Sequence, residues 1–489
     1  MSDFLTGLKE ANNLTFTENG ALTHRSTTSD LLDLFALGGA YRNRTDMDII
    51  QLVNKAFCED EVYTLKCLFY LRDIREGQGE RRFFKTAIKF LATDHTDAIR
   101  RNLKMIPVFG RWDDLYALVG TPLEDEMFKF MYEQLCLDLE SKTPSLLGKW
   151  LKSENASSKE TKLLAYKTRM AFNFTSKQYR KILTYLRTKI NVLETLMSEN
   201  RWDEIEFDKI PSVAGLKYRN AFARRDIIKE KYRKFAMDEN STVNAKALYP
   251  YQCIHEVMKH IEGWWGLAQL SDVDRAMINK YWDNLADYIN NAEFNGIAVV
   301  DTSGSMYGTP IEVALSLGMY CAEKCSGPFA NHFITFSGNP DLVELKGDDF
   351  CDKVINMNQA DWGMNTNIAA VFDLLLNTAV CNNCSQDQIP QNIIIISDME
   401  FDYCVCGGVN ETLFEHLSKK WESVGYKMPK LIFWNVDARQ NNIPMLTDDK
   451  YVNFVSGFSP TIYEQILKNM SAWDVMMDKL NSIRYKEIV

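Results

Sequence analysis

The spacing of apolar residues changes character near residue 290. From about 31 to 290 apolar positions recur at i, i+3 and i+4, and strict alternation is absent. This spacing predicts helices at 46–57, 60–72, 81–92, 96–106, 112–119 and 123–139, with short breaks between them. Helices this numerous and this short pack as antiparallel pairs or as a solenoid of HEAT-like type. Gly110-Arg111-Trp112-Asp113 is echoed by Asn200-Arg201-Trp202-Asp203, as a structural repeat would give. Residues 1–30 are polar and read as an extended arm, with Ser29 or Asp30 capping a first helix at Leu31.

Beyond 295 the pattern alternates between two kinds of segment. Short β-branched runs at 296–300, 331–336, 392–397, 430–435 and 451–455 read as strands. Helical stretches at 311–324, 368–376 and 411–424 lie between them, a hairpin-like segment falls near 342–345, and a last long helix is expected over 461–484. Strands separated by helices form a parallel, doubly wound sheet. The expected organisation is therefore an arm (1–30), an α-helical domain (31–290) and an α/β domain (295–489), within the two or three domains that 489 residues suggest.

A composition of 46% hydrophobic and 25% charged residues is that of a soluble globular protein. No uninterrupted 18-residue apolar run is present, which argues against a membrane span. The opening MSDFLTGLKEANNLTF has no basic segment followed by an apolar one, so secretion is not expected. Eleven scattered cysteines fit reduced thiols in the cytoplasm. The net charge of −10 hides an asymmetry: residues 142–235 hold 22 Lys or Arg against 10 Asp or Glu, and residues 295–489 hold 13 against 24. The first region is suited to meeting an anion.

The strand at 296–300 runs into Asp301-Thr302-Ser303-Gly304-Ser305. One carboxylate and two hydroxyls on a tight turn, at the edge where open α/β sheets bind ligands, suit Mg²⁺ or Mn²⁺. Gly363-Met364-Asn365-Thr366-Asn367 precedes an apolar helix, and the run Asn392–Ile396 leads into Ser397-Asp398. Asp301, Ser303, Ser305, Thr366 and Asp398 in this order resemble the metal-ion-dependent adhesion site of von Willebrand factor A domains. The resemblance implies Mg²⁺ or Mn²⁺ held by these five residues, with a position open to a carboxylate from a protein partner.

A second constellation is basic. Lys217, Arg219, Arg224, Arg225, Lys229, Lys231, Arg233 and Lys234 are opposed only by Asp226 and Glu230, and Tyr218, Phe222 and Tyr232 lie among them. Cations mixed with aromatics suit phosphate contacts and base stacking; a solvated helix face is the plainer reading. The arginines of Arg72–Arg82 could hold phosphate or pair with Asp73, Glu76 and Glu80, and the near balance of charge favours pairing. Cys381, Cys384, Cys404 and Cys406 could bind Zn²⁺ as four thiolates or remain four free thiols. Catalysis has little to stand on. None of the six histidines sits in a nucleophile pattern, and no phosphate-cradling glycine loop occurs. Glu400 and Asp402 could make the metal site a hydrolase centre, yet two-metal hydrolases need more carboxylates.

Helices first and a metal-site α/β domain second is also the order of Ro-type ribonucleoproteins. Asp301–Met306, Gly363–Asn367, Ser397–Asp402, Arg72–Arg81 and Gly110–Leu115 resemble a sister family within this TROVE superfamily, over nearly the whole chain. That resemblance implies a ring or horseshoe of helices closed by the α/β domain, with single-stranded RNA ends, or structured RNA, as ligand. The expected function is a non-catalytic, cytoplasmic RNA-binding protein. A metal-dependent assembly adaptor is the first alternative and a metal-dependent hydrolase the second.

Overall fold

The computed structural model describes residues 12–261, 270–289, 294–325, 327–336, 340–358, 367–401, 413–444, 452–467 and 470–489. They form two compact units. One combines Met1–Asp60 with Ala245–Ser482, the other Glu61–Asn244 with Ile483–Val489. Packing thus divides the chain elsewhere than periodicity does, because a helix lying on a sheet has the same period as one lying on helices.

The first unit is α/β. Strands β1 (Leu14–Phe16) and β2 (Leu22–His24) pair antiparallel. The described part of the expected extended arm is therefore a hairpin, closed by a turn with Gly20 at φ 88°. Ser29 caps the helix Asp30–Leu37, accepting a hydrogen bond from the Leu32 N–H. The main sheet contains β3 (Gly296–Asp301), β4 (His332–Phe336), β5 (Asp341–Glu344), β6 (Asn392–Ser397), β7 (Lys430–Asn435) and β8 (Val452–Ser456). Their order is β5-β4-β3-β6-β7-β8, parallel throughout except for β5, which runs antiparallel to β4. The chain builds outward from β3 in one direction, then returns to lay β6 on its other side. Such a reversal opens a crevice at the carboxyl ends of the two central strands.

Burial explains why these runs are strands. Every residue of β3 is buried, and so is all of β6 and β7 beyond their first residues. The helix Thr309–Lys324 lies close on β3: a Cβ at Gly318 would meet Val300 Cγ2 at 2.5 Å. The helices Pro250–Met258 and Asp272–Asp283, helical in pattern like those before them, belong to this unit. Trp282 stacks on Phe350 at 4.1 Å, and Arg275 donates to Asp349 from Nε and Nη2 at 2.7 and 2.8 Å. The expected helix over 461–484 is broken. After Tyr463–Ile466 a new helix, Ala472–Leu480, starts at Ser471, whose hydroxyl accepts from the Asp474 N–H.

The second unit is helical, with its larger helices at Glu61–Arg72, Arg81–Asp94, Glu124–Glu140, Lys159–Ala171, Ser176–Lys189, Ser212–Arg224 and Lys229–Met237. The stretch expected as a helix at 112–119 is a 3₁₀ turn, Trp112–Leu118. Trp202–Glu204 is another, but Asp113 is buried and Asp203 exposed, so the echoed segments share a turn and not an environment. Phe207, Phe222, Tyr232 and Phe235 form one aromatic core. Tyr485 stacks on Phe109, tying the last residues into the unit. Among the described residues no helix is long and apolar enough to cross a membrane.

Candidate functional site

The two central strands bring the sequence-predicted carboxylates to the reversal of the sheet. Asp301 ends β3, and Asp398 directly follows β6, whose Ile396 is in register with Val300. Asp301 is fully buried. Its Oδ1 accepts the Ser303 N–H at 2.9 Å and its Oδ2 accepts the Ser397 hydroxyl at 2.6 Å. The Ser303 and Ser305 hydroxyls lie 3.0 Å apart. Asp398 Oδ1 accepts the Glu400 N–H at 3.1 Å.

Asp398 Oδ2 is different. It is buried and, among the described residues, accepts no hydrogen bond; Arg439 Nη1 stands 3.9 Å away. The Ser305 hydroxyl is close enough to pull the carboxyl's pKa down but makes no aligned hydrogen bond to that oxygen. Burial raises Asp398 above the ordinary carboxylate range against that pull. Burial and then the Asp398 charge push Asp301 up to about 7. Two desolvated carboxylates beside two hydroxyls, with Arg439 at 3.9 Å as the one counter-ion among the described residues, form a donor set short of positive charge. A small divalent cation fits that deficit. Among the described residues no three His, Cys, Asp or Glu side chains gather as a metal-binding group, so any cation here would draw on the hydroxyls.

Thr366 lies outside the described residues, as do Gly363, Met364 and Asn365. Asn367 caps the helix Ile368–Cys381, accepting from the Ala370 N–H at 3.2 Å. The Glu400 carboxylate is engaged elsewhere, accepting from Asn442 Nδ2 at 2.9 Å and from the Glu18 N–H at 2.7 Å, though Asp398 is near enough to raise its pKa. Asp402 lies outside the described residues. Of the four cysteines, Cys381 is an exposed free thiol and Cys384 a half-buried one, and Cys404 and Cys406 lie outside the described residues.

The basic constellation falls on the helices Ser212–Arg224 and Lys229–Met237. Lys217, Arg224, Arg225, Lys229, Lys231, Arg233 and Lys234 are exposed. Arg219 is not: it is buried on the inner stripe with Leu216 and Phe222. That corrects its reading as a surface contact. Phe222 and Tyr232 are buried in the aromatic core and offer no face to a base. Lys229 pairs with Asp226 at 2.6 Å, and Lys231 Nζ donates to the Asp203 and Ile205 carbonyls. Arg224, Arg233 and Lys234 make no ion pair among the described residues.

Residues 17–161 and 147–293, together more than half of the chain, match the domain of unknown function DUF2828. The chain belongs to the DUF2828 family. In this DUF2828 chain, residues 295–485 match a second domain of unknown function, DUF7788. The two matches meet where the polarity pattern changes. The uncharacterized protein L728 of Acanthamoeba polyphaga mimivirus is 32% identical over 503 residues, covering 93% of this chain and 85% of its own length.

Sequence reasoning missed several groups at the sheet reversal. Ser397 orients Asp301, and its place next to Asp398 at the end of a strand paired with β3 was the available signal. Arg439 and Glu18, ion-paired at 2.9 Å, carried no local signal. Glu18 reaches the site because the β1–β2 hairpin bonds to the segment after β6: Thr17 Oγ1 donates to the Phe401 carbonyl, and Asn19 Nδ2 to that of Glu400. Arg439 reaches it because it follows β7, the strand paired with β6.

Proposed function

We propose that the chain is a non-catalytic RNA-binding protein of Ro-like type. In this reading the helical unit, a HEAT-like solenoid, meets phosphate, and the α/β unit is a von Willebrand factor A-like domain holding Mg²⁺ or Mn²⁺. The observation that carries the RNA half is the row of seven exposed cations between 217 and 234, of which Arg224, Arg233 and Lys234 have no internal ion pair among the described residues. Cations not committed to internal partners are those that release counterions on meeting a nucleic-acid backbone. With Phe222 and Tyr232 in the core and Tyr218 half-buried beside Lys217, the contact would be mainly to backbone charge. For the metal, Asp301, Asp398, Ser303 and Ser305 are the ligands this reading names, with Thr366 added by the resemblance. When bound, the ion would supply a Lewis-acidic position for an incoming oxygen. Asp301 and Asp398 would balance its charge, and Ser397 would keep Asp301 turned toward it.

The test reverses Arg224, Arg225, Arg233 and Lys234 to Glu and measures single-stranded RNA binding across a salt series. Affinity should drop, and each lost contact should flatten the slope of log affinity against log salt by roughly 0.7. Unchanged affinity and slope would overturn the reading.

One observation favours a second reading, an assembly adaptor. Arg439 stands beside the unpaired Asp398 oxygen with 39% of its side chain exposed, placed to pair with a partner's carboxylate that the metal captures. In that case EDTA or Asp301→Ala releases a protein partner, and the charge reversal above does not.

A further inference from the structure

The Arg72–Arg82 segment, whose arginines could hold phosphate or pair internally, meets the segment around Arg111 and Asp113 in the helical unit. Arg72 ends the helix Glu61–Arg72, Arg81 and Lys85 lie on the first turns of Arg81–Asp94, Arg111 precedes the 3₁₀ turn, and Lys152 follows Trp150. These five cations gather around Asp113 and Asp114, which are 1% and 0% exposed. Arg72 Nε donates to Asp114 Oδ2 at 2.8 Å, and the Arg111 N–H donates to the same oxygen at 2.9 Å. Arg81 pairs with Asp113. Lys85 Nζ lies 3.2 Å from Asp113 Oδ2 and 3.5 Å from Asp114 Oδ1, and Lys152 Nζ lies 3.8 Å from Asp113 Oδ2. Glycine at 110 is required, because a Cβ there would collide with Asp114 Oδ2.

The cluster holds more positive charge than its two carboxylates balance. Even with Glu80, next to Arg81, and Glu160, which acts on Lys152, cations lead five to four. Arg72 is sealed in, but the side chains of Arg81, Lys85 and Lys152 keep 45%, 28% and 22% of their exposure. The surplus therefore faces water. Burial lowers the Lys152 ammonium and the Arg111 guanidinium below their ordinary pKa, and the neighbouring cations lower them further. An anion would relieve that crowding. The 14-residue helix that starts at Arg81 has no side-chain cap, so its first N–H groups add positive potential. Trp150, half-buried, lies under the Arg111 guanidinium at 4.9 Å and gives the cluster an aromatic flank.

We infer that Arg81, Lys85, Arg111 and Lys152 form a phosphoryl-binding site, built on the Asp113–Asp114 pair that holds its cations in place. The site deepens the RNA reading and rests on it only for the source of the phosphate, which is the end of an RNA strand or a free phosphate ion.

The test uses the full chain. Lys85 and Lys152 are acetylated with a water-soluble reagent, and modification is read by mass spectrometry without ligand, with inorganic phosphate, and with a single-stranded RNA carrying either a 5′-phosphate or a 5′-hydroxyl. Inorganic phosphate at millimolar concentration should protect both lysines several-fold relative to exposed lysines elsewhere. Stronger protection by the 5′-phosphorylated strand than by the hydroxyl strand assigns the RNA terminus. Protection by inorganic phosphate alone assigns the free ion, and then the site stands apart from the RNA reading, which the 217–234 charge reversal tests on its own. No protection by any of the three overturns the inference, even if RNA still binds through the 217–234 cations. Because acetylation is read on wild type, no variant has to fold. The Lys85→Met, Lys152→Met double variant, if it unfolds at the wild-type temperature, should bind phosphate at least about tenfold more weakly by calorimetry; equal binding would also overturn the inference.

Discussion

Asp301 with Asp398, and Asp113 with Asp114, are two buried aspartate pairs given opposite surroundings. The first pair faces hydroxyls and one guanidinium 3.9 Å away. The second is ringed by five cations. Titration follows: burial and the Asp398 charge push Asp301 up to about 7, whereas at Asp113 burial is outweighed by Lys85, Arg81 and Lys152, and the carboxyl falls below its ordinary range. Depth alone therefore does not set the direction in which a buried aspartate titrates; the charges around it do.

The largest effect should come from breaking the pair ringed by cations, although Asp113 Oδ1 and Asp114 Oδ1 also accept no hydrogen bond among the described residues. Asp114→Ala leaves Arg72, 1% exposed, without its carboxylate, and loss of one partner of a buried pair costs about 3–5 kcal/mol. Urea unfolding of the full chain should show the helical unit weakened by this amount, and a loss under about 1 kcal/mol would mean that the cluster is not tightly paired. The pair of Asp301 and Asp398 should respond with the other sign. A carboxyl whose folded pKa is raised from 3.8 to about 7 contributes stability below pH 4 that is lost as pH rises through 7. At pH 8 in EDTA, Asp301→Asn should then stabilise the α/β unit, on the order of 2 kcal/mol. In Mn²⁺ the order should reverse, since the wild type gains binding energy that the variant lacks. Calorimetric unfolding in both buffers decides, and a variant less stable in EDTA would show that the pair is balanced without metal.

A single buried aspartate outside both pairs sharpens the contrast with the smallest effect. Asp33 has neither a cation nor a second carboxylate in contact; its Oδ1 accepts the Thr27 N–H and the Thr27 hydroxyl, both at 2.7 Å. Burial still pushes it up to about 6 from 3.8, so its contribution is present below pH 4 and lost as pH rises through 6. Asn keeps the accepting oxygen. Asp33→Asn should flatten the fall in stability between pH 4 and 6 by on the order of 1 kcal/mol, read from unfolding midpoints across that range. A profile identical to wild type would remove Asp33 from the titrating groups.

The central strands were legible because burial on both faces leaves no polar position to blur the run: β6 and β7 fall where Asn392–Ser397 and Lys430–Asn435 were expected. Asp301 and Asp398 were legible for the same reason, each being the first charge after such a run. The hairpin was not, since three-residue strands of mixed polarity look like any loop. Arg219 could have been placed correctly: Gly215, Leu216, Arg219 and Phe222 repeat at three and four residues, which marks the inner stripe whatever the charge. What periodicity cannot say is which surface a helix covers. Pro250–Met258 and Asp272–Asp283 read like their predecessors and yet pack with the sheet.

The assignment of Met1–Asp60 and Ala245–Ser482 to one unit has a consequence for synthesis on the ribosome. The first sixty residues emerge long before the strands they pack with, and the whole helical segment Glu61–Asn244 must be translated in between, on the order of tens of seconds at 5–20 residues per second. The helix Asp30–Leu37, with every residue after Asp30 buried in the finished unit, spends that interval without the sheet that will cover it. The helical unit in turn waits for Ile483–Val489. Neither unit can complete itself until the segment around residue 480 has been made, so the nascent chain offers a chaperone an apolar early segment and two incomplete cores at once.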